Sequence, residues 1–367
     1  MPRSKQAKSA RAATLSDVGR EAGVSAMAAS VVLNGASTSS RISPETRDRI
    51  LAAAARLQYR VNVAARALAN RRMNTVGIAT VFEGGELLNA YFLEVFNGIL
   101  EAATRLEQNT TVFTLHDWHR DAARLPGMCD GRIDGLILIA PTLTRAAAKV
   151  LPVHTPFVAI HANVPLPNVV NIESDEEQGA YDMVRHLIAQ GHRRILHVAG
   201  VKGMVGAERR KRGYKRALAS AHIPVDNSLI IPAGFTEDSG RQAMRGWLRE
   251  HAGEPLPPAV FCVSDGAAIG SLEALAEVGL HVPEDISVAG FDDTLAARTT
   301  VPQLTTVRQP LRAMGNRLVE VLLDRIQRQN AGDSGLTEKS IVFPVDLVPR
   351  SSVGAPPAVR RIVPAPR

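Results

Sequence analysis

His116 and His119 stand three residues apart behind an apolar run, a spacing that could offer two imidazoles to a metal, but no third placed ligand accompanies them and the pair reads as loop. Ser, His and Asp are plentiful, yet no Gly-x-Ser-x-Gly elbow presents a nucleophile and no Gly-x-Gly-x-x-Gly follows a strand-like run. Catalysis and dinucleotide binding lose their sequence basis, so no enzyme activity, cofactor or metal is predicted. Cys129 and Cys262 lie far apart without metal-ligand spacing and read as small buried apolar residues in a reducing compartment. The grouping with consistent chemistry is basic. Residues 1–72 hold 13 Lys or Arg against 4 Asp or Glu, a balance of +9, whereas the other 295 residues hold 30 against 32, a balance of −2. A polyanion is expected at that end alone, bound with release of counterions.

A scaffold for that chemistry is spelled by Thr14 to Asn34, TLSDVGREAGVSAMAASVVLN. Thr14 with Asp17 forms a capping-box pattern, Gly23 suits the left-handed end of a first helix, and Ser25 caps a second. Leu15, Val18 and Ala22 share one face of the first helix, and Ala29 and Leu33 recur on the second. Two helices this short cannot bury a core, but Ser43 and Pro44 start a third whose Ile50, Ala54 and Leu57 complete the apolar stripe. The pattern predicts a helix-turn-helix, whose second helix enters the major groove of double-stranded DNA.

Behind it, residues 59–72 read as a linker with helical potential, too short to be stable alone. From Thr75 the texture is strand alternating with amphipathic helix. Strands are expected over 76–81, 110–115, 135–140 and 157–161, with a helix over 91–106. A second series follows, with helices over 178–190, 209–221 and 267–278 and strands over 195–199, 259–263 and 287–291. A helix over 311–329 and a strand over 340–348 imply that the chain crosses between lobes more than once. The fold class is therefore α/β, two doubly wound parallel-sheet lobes behind a small all-α domain, with ligands expected outside the carboxyl ends of the strands. The basic start lacks the apolar run of a secretory signal and no segment reaches membrane-spanning length, which predicts a cytoplasmic protein.

Over residues 14 to 352 the chain resembles the LacI/GalR family of transcriptional regulators. The matches include TLSDVGREAGVS, SVVLN, ISPETRDRIL and ARAL near the start, then HLIAQGHRRI, RKRGY, VSDGAAIGSLEAL, VPEDISVAGFDD and PQLTTVRQP. The resemblance implies a basic tail over 1–13, a headpiece over 14–58, a hinge helix within 59–72 and a two-lobed, periplasmic-binding-protein-like core over 73–350. Its N-lobe is expected over about 73–169 plus 295–332 and its C-lobe over about 170–294 plus 333–350, with residues 351–367 as a disordered Pro/Arg-rich tail. It also implies a homodimer on a palindromic operator. Thr14, Ser16, Ser25, Ser30, Asn34 and Asn62 would contact or orient on DNA, with Ala65 in the hinge and Leu68 as an apolar wedge in the minor groove. The competing reading of the core, a solute-binding protein for a transporter, would require export.

The chain departs from the family in three places. Ala26, Met27 and Val31 occupy base-facing positions, where they can pack on thymine methyls but cannot form bidentate hydrogen bonds. A longer loop after Asn34 supplies Arg41 as an additional phosphate contact, and Val61 replaces a proline ahead of the hinge. In the core, the resemblance assigns Asp265 and Arg210 as a carboxylate and guanidinium suited to a polyhydroxylated effector, with Phe235 on its apolar face. Tyr91 and Phe92 are aromatic candidates from the first lobe, the alternative being a buried helix start; for Arg210 the alternative is a surface ion pair. Met204 stands where a purine-binding branch would need Arg, which points to a sugar or sugar derivative.

Overall fold

The computed structural model describes residues 12–34, 42–60, 72–82, 89–149, 151–333, 335 and 338–357. Contacts divide the chain into two compact units between Met73 and Asn74. Arg41, Asn62, Ala65 and Leu68 lie outside the described residues.

The first unit is three helices, α1 (Leu15–Ala22), α2 (Ala26–Asn34) and α3 (Pro44–Arg56). The Thr14 hydroxyl oxygen accepts the Asp17 amide at 3.3 Å while Asp17 accepts the Thr14 amide at 2.9 Å, the reciprocal pair expected of a capping box. Gly23, at φ 68°, ends α1 in the left-handed region that its missing β-carbon makes accessible. Ser43 caps α3 and Pro44 fills its first turn. Val18, Ala29, Ile50 and Ala53 are fully buried against one another, with Leu15, Leu33 and Leu57 packed around them. Burial of each larger aliphatic side chain contributes about 1.5–3 kcal/mol, which three short helices need in place of intrinsic helical stability.

The second unit begins with β1 (Thr75–Val81), α4 (Ala90–Arg105), β2 (Asn109–Leu115), β3 (Gly135–Ile139), β4 (Phe157–Ile160) and β5 (Val169–Ser174). It continues through α5 (Glu176–Ala189), β6 (Ile195–Ala199), α6 (Val205–Ser220), β7 (Ile230–Pro232), α7 (Glu237–Glu250), β8 (Ala259–Cys262), α8 (Asp265–Glu277), β9 (Ser287–Ala289) and β10 (Thr306–Arg308). The last elements are α9 (Leu311–Asn330), β11 (Ser340–Phe343) and β12 (Asp346–Val348). One parallel sheet has strand order β11-β5-β4-β3-β1-β2 and a second has β7-β6-β8-β9. Successive side chains of the central strands enter apolar clusters on opposite faces: Ile137 and Ile139 one way and Leu136 and Leu138 the other, Val260 and Cys262 one way and Ala259 and Phe261 the other. Such double coverage is why the strands read as almost unbroken apolar runs.

The two lobes share chain at three crossings. After β5 the chain enters the second lobe, returns through α9, and then passes from β11 to β12, which pairs antiparallel with β10. Glycines bring α9 against the first lobe: a β-carbon at Gly98 would lie 2.0 Å from the Arg312 carbonyl oxygen, and one at Gly315 would lie 2.2 Å from that of Val95.

The lobe boundaries differ from those expected. Residues 170–174 and 340–343, expected in the C-lobe, are strands of the first sheet, where β11 pairs with β5 and Ile341 and Phe343 pack on the first lobe's core. The strand expected over 340–348 is two strands in different sheets. Residues 295–308, expected in the N-lobe, belong with the second: Ala297 and Leu304 lie in its core. Alternation shows that a segment is a strand but not which sheet edge will accept it. The disordered tail expected over 351–367 is contradicted at Ser352. The Ser352 hydroxyl donates to the Val288 carbonyl at 2.6 Å and accepts the Thr305 amide at 2.8 Å, and Ser352 is fully buried. Residues 358–367 lie outside the described set.

Candidate DNA-binding and effector sites

On the headpiece, Ser25 caps α2 by accepting the Ala28 amide at 3.1 Å. Ser16 and Ser25 are exposed, Thr14, Ala26, Ser30 and Val31 half-buried. Met27 is 78% exposed. A large thioether held out at the start of a helix is unfavourable in water and available to an apolar partner surface. The Thr14 hydroxyl also donates to Asp17 at 2.6 Å, so its first duty is to the helix end. Asn34 closes α2.

In the core, Arg210 on α6 is 3% exposed, which disposes of the surface ion-pair alternative. Its Nη2 donates to Glu176 Oε1 at 3.0 Å, and its Nη1 donates to the Val263 carbonyl and lies 3.6 Å from Asp292 Oδ1. The guanidinium stacks 4.0 Å from the Phe291 ring centre and 5.9 Å from that of Phe235. Phe235 is held in place by Ser264, whose hydroxyl donates to the Phe235 carbonyl at 2.8 Å. From the first lobe, Tyr91 lies edge-on to Phe92, with ring centres 5.2 Å apart, and 6.0 Å from the ring of His161. Burial raises the Tyr91 hydroxyl well above its usual range, and the fields of Asp292 and Glu176 add to the effect while Arg210 opposes it. The same three groups are thus near Tyr91. Phe92 takes part mainly as a helix start, its amide capped by Asn89 at 3.0 Å and its ring packed on the first core.

Asp265 does not make the expected pair with Arg210. Its Oδ2 accepts from the amide and hydroxyl of Thr294 at 2.8 and 3.1 Å, its Oδ1 accepts from the Thr306 hydroxyl at 2.5 Å, and it is wholly buried. Burial pushes its carboxyl upward against these bonds. A carboxylate so filled fastens the turn after β9 and has little left to offer a ligand. The carboxylate beside Arg210 is Asp292, which burial pushes up to about 8 against the pull of Arg210 and the 2.6 Å hydrogen bond donated by the Gln309 amide. Asp292 and Asp293 both have positive φ, 128° and 58°. Such backbone costs about 1–3 kcal/mol per residue and survives only where surroundings enforce it. Asp293 supplies that enforcement: Arg308 donates to it at 2.7 Å, Arg298 at 3.1 Å, and Arg350 also donates. Burial works upward on Asp293, but Arg350 and Arg308 hold its carboxyl below the ordinary range.

The cluster therefore comprises Tyr91, His161, Glu176, Arg210, Phe235 and Asp292. Sequence reasoning missed Glu176, His161 and Asp292, although the last stands in the quoted VPEDISVAGFDD. Among the described residues, His161 Nε2, Glu176 Oε2 and Arg210 Nε are buried with no hydrogen-bond partner. Burial lowers the His161 imidazole below its usual value, leaving it neutral and able to donate or accept by choice of tautomer. Orphaned buried polar atoms of both kinds are complementary to hydroxyl groups, each of which donates and accepts. A hollow of about 580 Å³ along α4, lined by Leu100, Glu101, Arg105 and Arg312 among others, gathers none of these groups. His116 turns to Asp121, whose carboxylate accepts its amide at 2.7 Å, and among the described residues no three His, Cys, Asp or Glu stand close enough to hold a metal.

Comparison with known proteins gives a consistent result. Residues 14–62 match the pattern of bacterial regulatory proteins, lacI family, and residues 184–353 that of a periplasmic binding protein-like domain. The HTH-type transcriptional repressor PurR of Haemophilus influenzae is 30% identical over 348 residues, 93% of this chain and 98% of its own. Among solved structures, the Lac repressor dimer bound to operator and the anti-inducer ONPF superposes with TM-score 0.80 at 30% identity, covering 94% of this chain and 100% of that one. The CelR-cellobiose complex superposes with TM-score 0.68 at 29% identity, covering 93% and 99%.

Proposed function

Because the chain belongs to the lacI family of bacterial regulatory proteins, with a helix-turn-helix domain ahead of a periplasmic-binding-protein-like core, we propose that it represses sugar or carbohydrate catabolism genes by binding a palindromic operator as a homodimer. Two-fold symmetry would present one headpiece to each half-site and pair the hinge segments at the operator centre. Leu68 then acts as a wedge in the minor groove, where unstacking is offset by the additional surface that bent DNA brings onto the protein. The effector is a sugar or sugar derivative held by Arg210, Asp292, Glu176, His161 and Tyr91, with Phe235 against its apolar face.

The supporting observation is the buried cluster around Arg210, whose unpartnered donors and acceptors suit hydroxyls. A ligand that binds one lobe arrangement more tightly shifts the dimer toward it and so changes operator affinity by the ratio of its two affinities. The test measures operator affinity of the full chain by fluorescence anisotropy at one fixed salt concentration, with and without a panel of sugars. At least one sugar is expected to change affinity tenfold or more. Leu68→Ala is expected to weaken operator binding by a similar factor while leaving sugar binding intact; unchanged affinity and an unchanged DNA bend would sink the wedge.

A further inference from the structure

We infer that Glu176 sets the charge class of the effector: the cluster around Arg210 admits an uncharged polyhydroxylated ligand and refuses its phosphorylated or carboxylated counterpart. This rests on the effector site proposed above and deepens it.

Glu176 is 2% exposed. One of its oxygens is taken by Arg210, and the other has no hydrogen-bond partner among the described residues. The nearest additional cation, Arg209, lies 3.8 Å from that second oxygen and is committed to Glu173 at 2.9 Å. The carboxylate also sits over the first turn of α6: a β-carbon at Gly206 would lie 2.5 Å from Oε1 and 3.1 Å from Oε2. That turn has Met204 at its cap and no side-chain hydrogen bond to its amides. An uncapped helix start is a ready place for a phosphate or carboxylate, because its free amides and partial positive charge attract anions. Here the protein has put its own anion there, and glycine at 206 leaves it the room.

The local charges balance without a ligand. Arg209 and Arg210 face Glu173, Glu176 and Asp292, so both buried arginines are already paired among the described residues and an incoming anion must be desolvated beside buried carboxylates. Hydroxyls meet no such penalty: Glu176 Oε2 accepts, Arg210 Nε donates, and His161 Nε2 does either. Asp292, whose carboxyl burial pushes up to about 8, adds less negative charge than Glu173 or Glu176.

The experiment uses matched pairs on the full chain at pH 7, by thermal shift and titration calorimetry: glucose with glucose 6-phosphate and glucuronate, galactose with galacturonate, ribose with ribose 5-phosphate. Whichever neutral sugar binds is expected to do so at least tenfold more tightly than its anionic counterpart. A smaller gap, or a preference for the anion, overturns the inference while leaving a sugar effector standing. E176Q is expected to narrow the gap, and an unchanged gap in the folded variant overturns the role of Glu176. If E176Q does not fold, the wild-type ratio still decides. Should no sugar of either class bind while operator binding is intact, the sugar-effector proposal fails and takes this one with it.

Discussion

The headpiece and the Arg210 cluster solve the same problem, the placing of polar groups, by opposite means. In the headpiece the partners are three residues apart, Thr14 with Asp17, Ser25 with Ala28 and Ser43 with Thr46, the first pair part-buried and the other two exposed. In the cluster they come from distant segments: Arg210 meets Glu176 across 34 positions, Gln309 meets Asp292 across 17 and Ser174 across 135. A local, wet pair can be lost for little, whereas a buried network concentrates its energy in a few atoms and leaves charges stranded when one member goes. The chain keeps the inexpensive arrangement in its basic helical unit and the demanding one in the buried cluster of the core.

That contrast is tested most severely by Arg210→Ala, which leaves the Glu176 carboxylate buried without its cation and removes the guanidinium beside Asp292. It is expected to destabilise the second unit by about 3–5 kcal/mol, measured by chemical denaturation, and to abolish any sugar response. A loss below about 1 kcal/mol would mean that the network is no more tightly coupled than a surface pair.

A second effect comes from Asp292. Burial moves its carboxyl from the ordinary 3.8 up to about 8, so between those values the folded chain holds a proton that the unfolded chain has released. Its stabilising share is therefore complete below about pH 4 and is lost as pH climbs to 8. His197, which burial pushes down to about 4, works in the opposite sense between pH 4 and its ordinary 6.5 and must be subtracted. Comparison with Asp292→Asn isolates the first contribution: wild-type stability relative to the variant is expected to fall by a few kcal/mol from pH 4 to 8. A flat difference would place Asp292 in an ionised, solvated setting.

Local breakage should be milder. Thr14→Ala removes one half of the capping box and is expected to cost about 1 kcal/mol, confined to the headpiece, read as faster amide exchange over Leu15–Ala22 with the second unit unchanged. Loss of protection in both units would erase the distinction between local and network satisfaction. The smallest effect belongs to exposed Met27: replacing a half-site thymine by uracil should weaken operator binding by roughly 0.8 kcal/mol, the value of one buried methyl-sized group. Indifference to methyl removal at every half-site position would show that the apolar tip of α2 does not read DNA.

Legibility followed the same division. The capping residues Thr14, Ser25 and Ser43, the left-handed Gly23 and the apolar faces of α1 to α3 were all visible in order along the chain, because each depends on neighbours within one turn of helix. Most strands and helices of the core were equally plain, as was the family resemblance. The helix Glu237–Glu250 went unread, and β11 was joined to β12 although two different sheets claim them.

For the proposed effector site, sequence named Arg210, Tyr91, Phe235 and Asp265, and the fold puts Asp292 rather than Asp265 beside the guanidinium. Both aspartates follow apolar strands, and nothing local separates them. Residue order determined the headpiece, the alternating core and the concentration of positive charge at one end, since propensity, capping and periodicity act over a few residues. Only the folded chain decided which carboxylate is filled by threonines and which faces arginine, and that Glu176 covers the start of α6. Those outcomes depend on desolvation and on groups brought together across the fold, quantities that have no meaning until the surrounding side chains have excluded water.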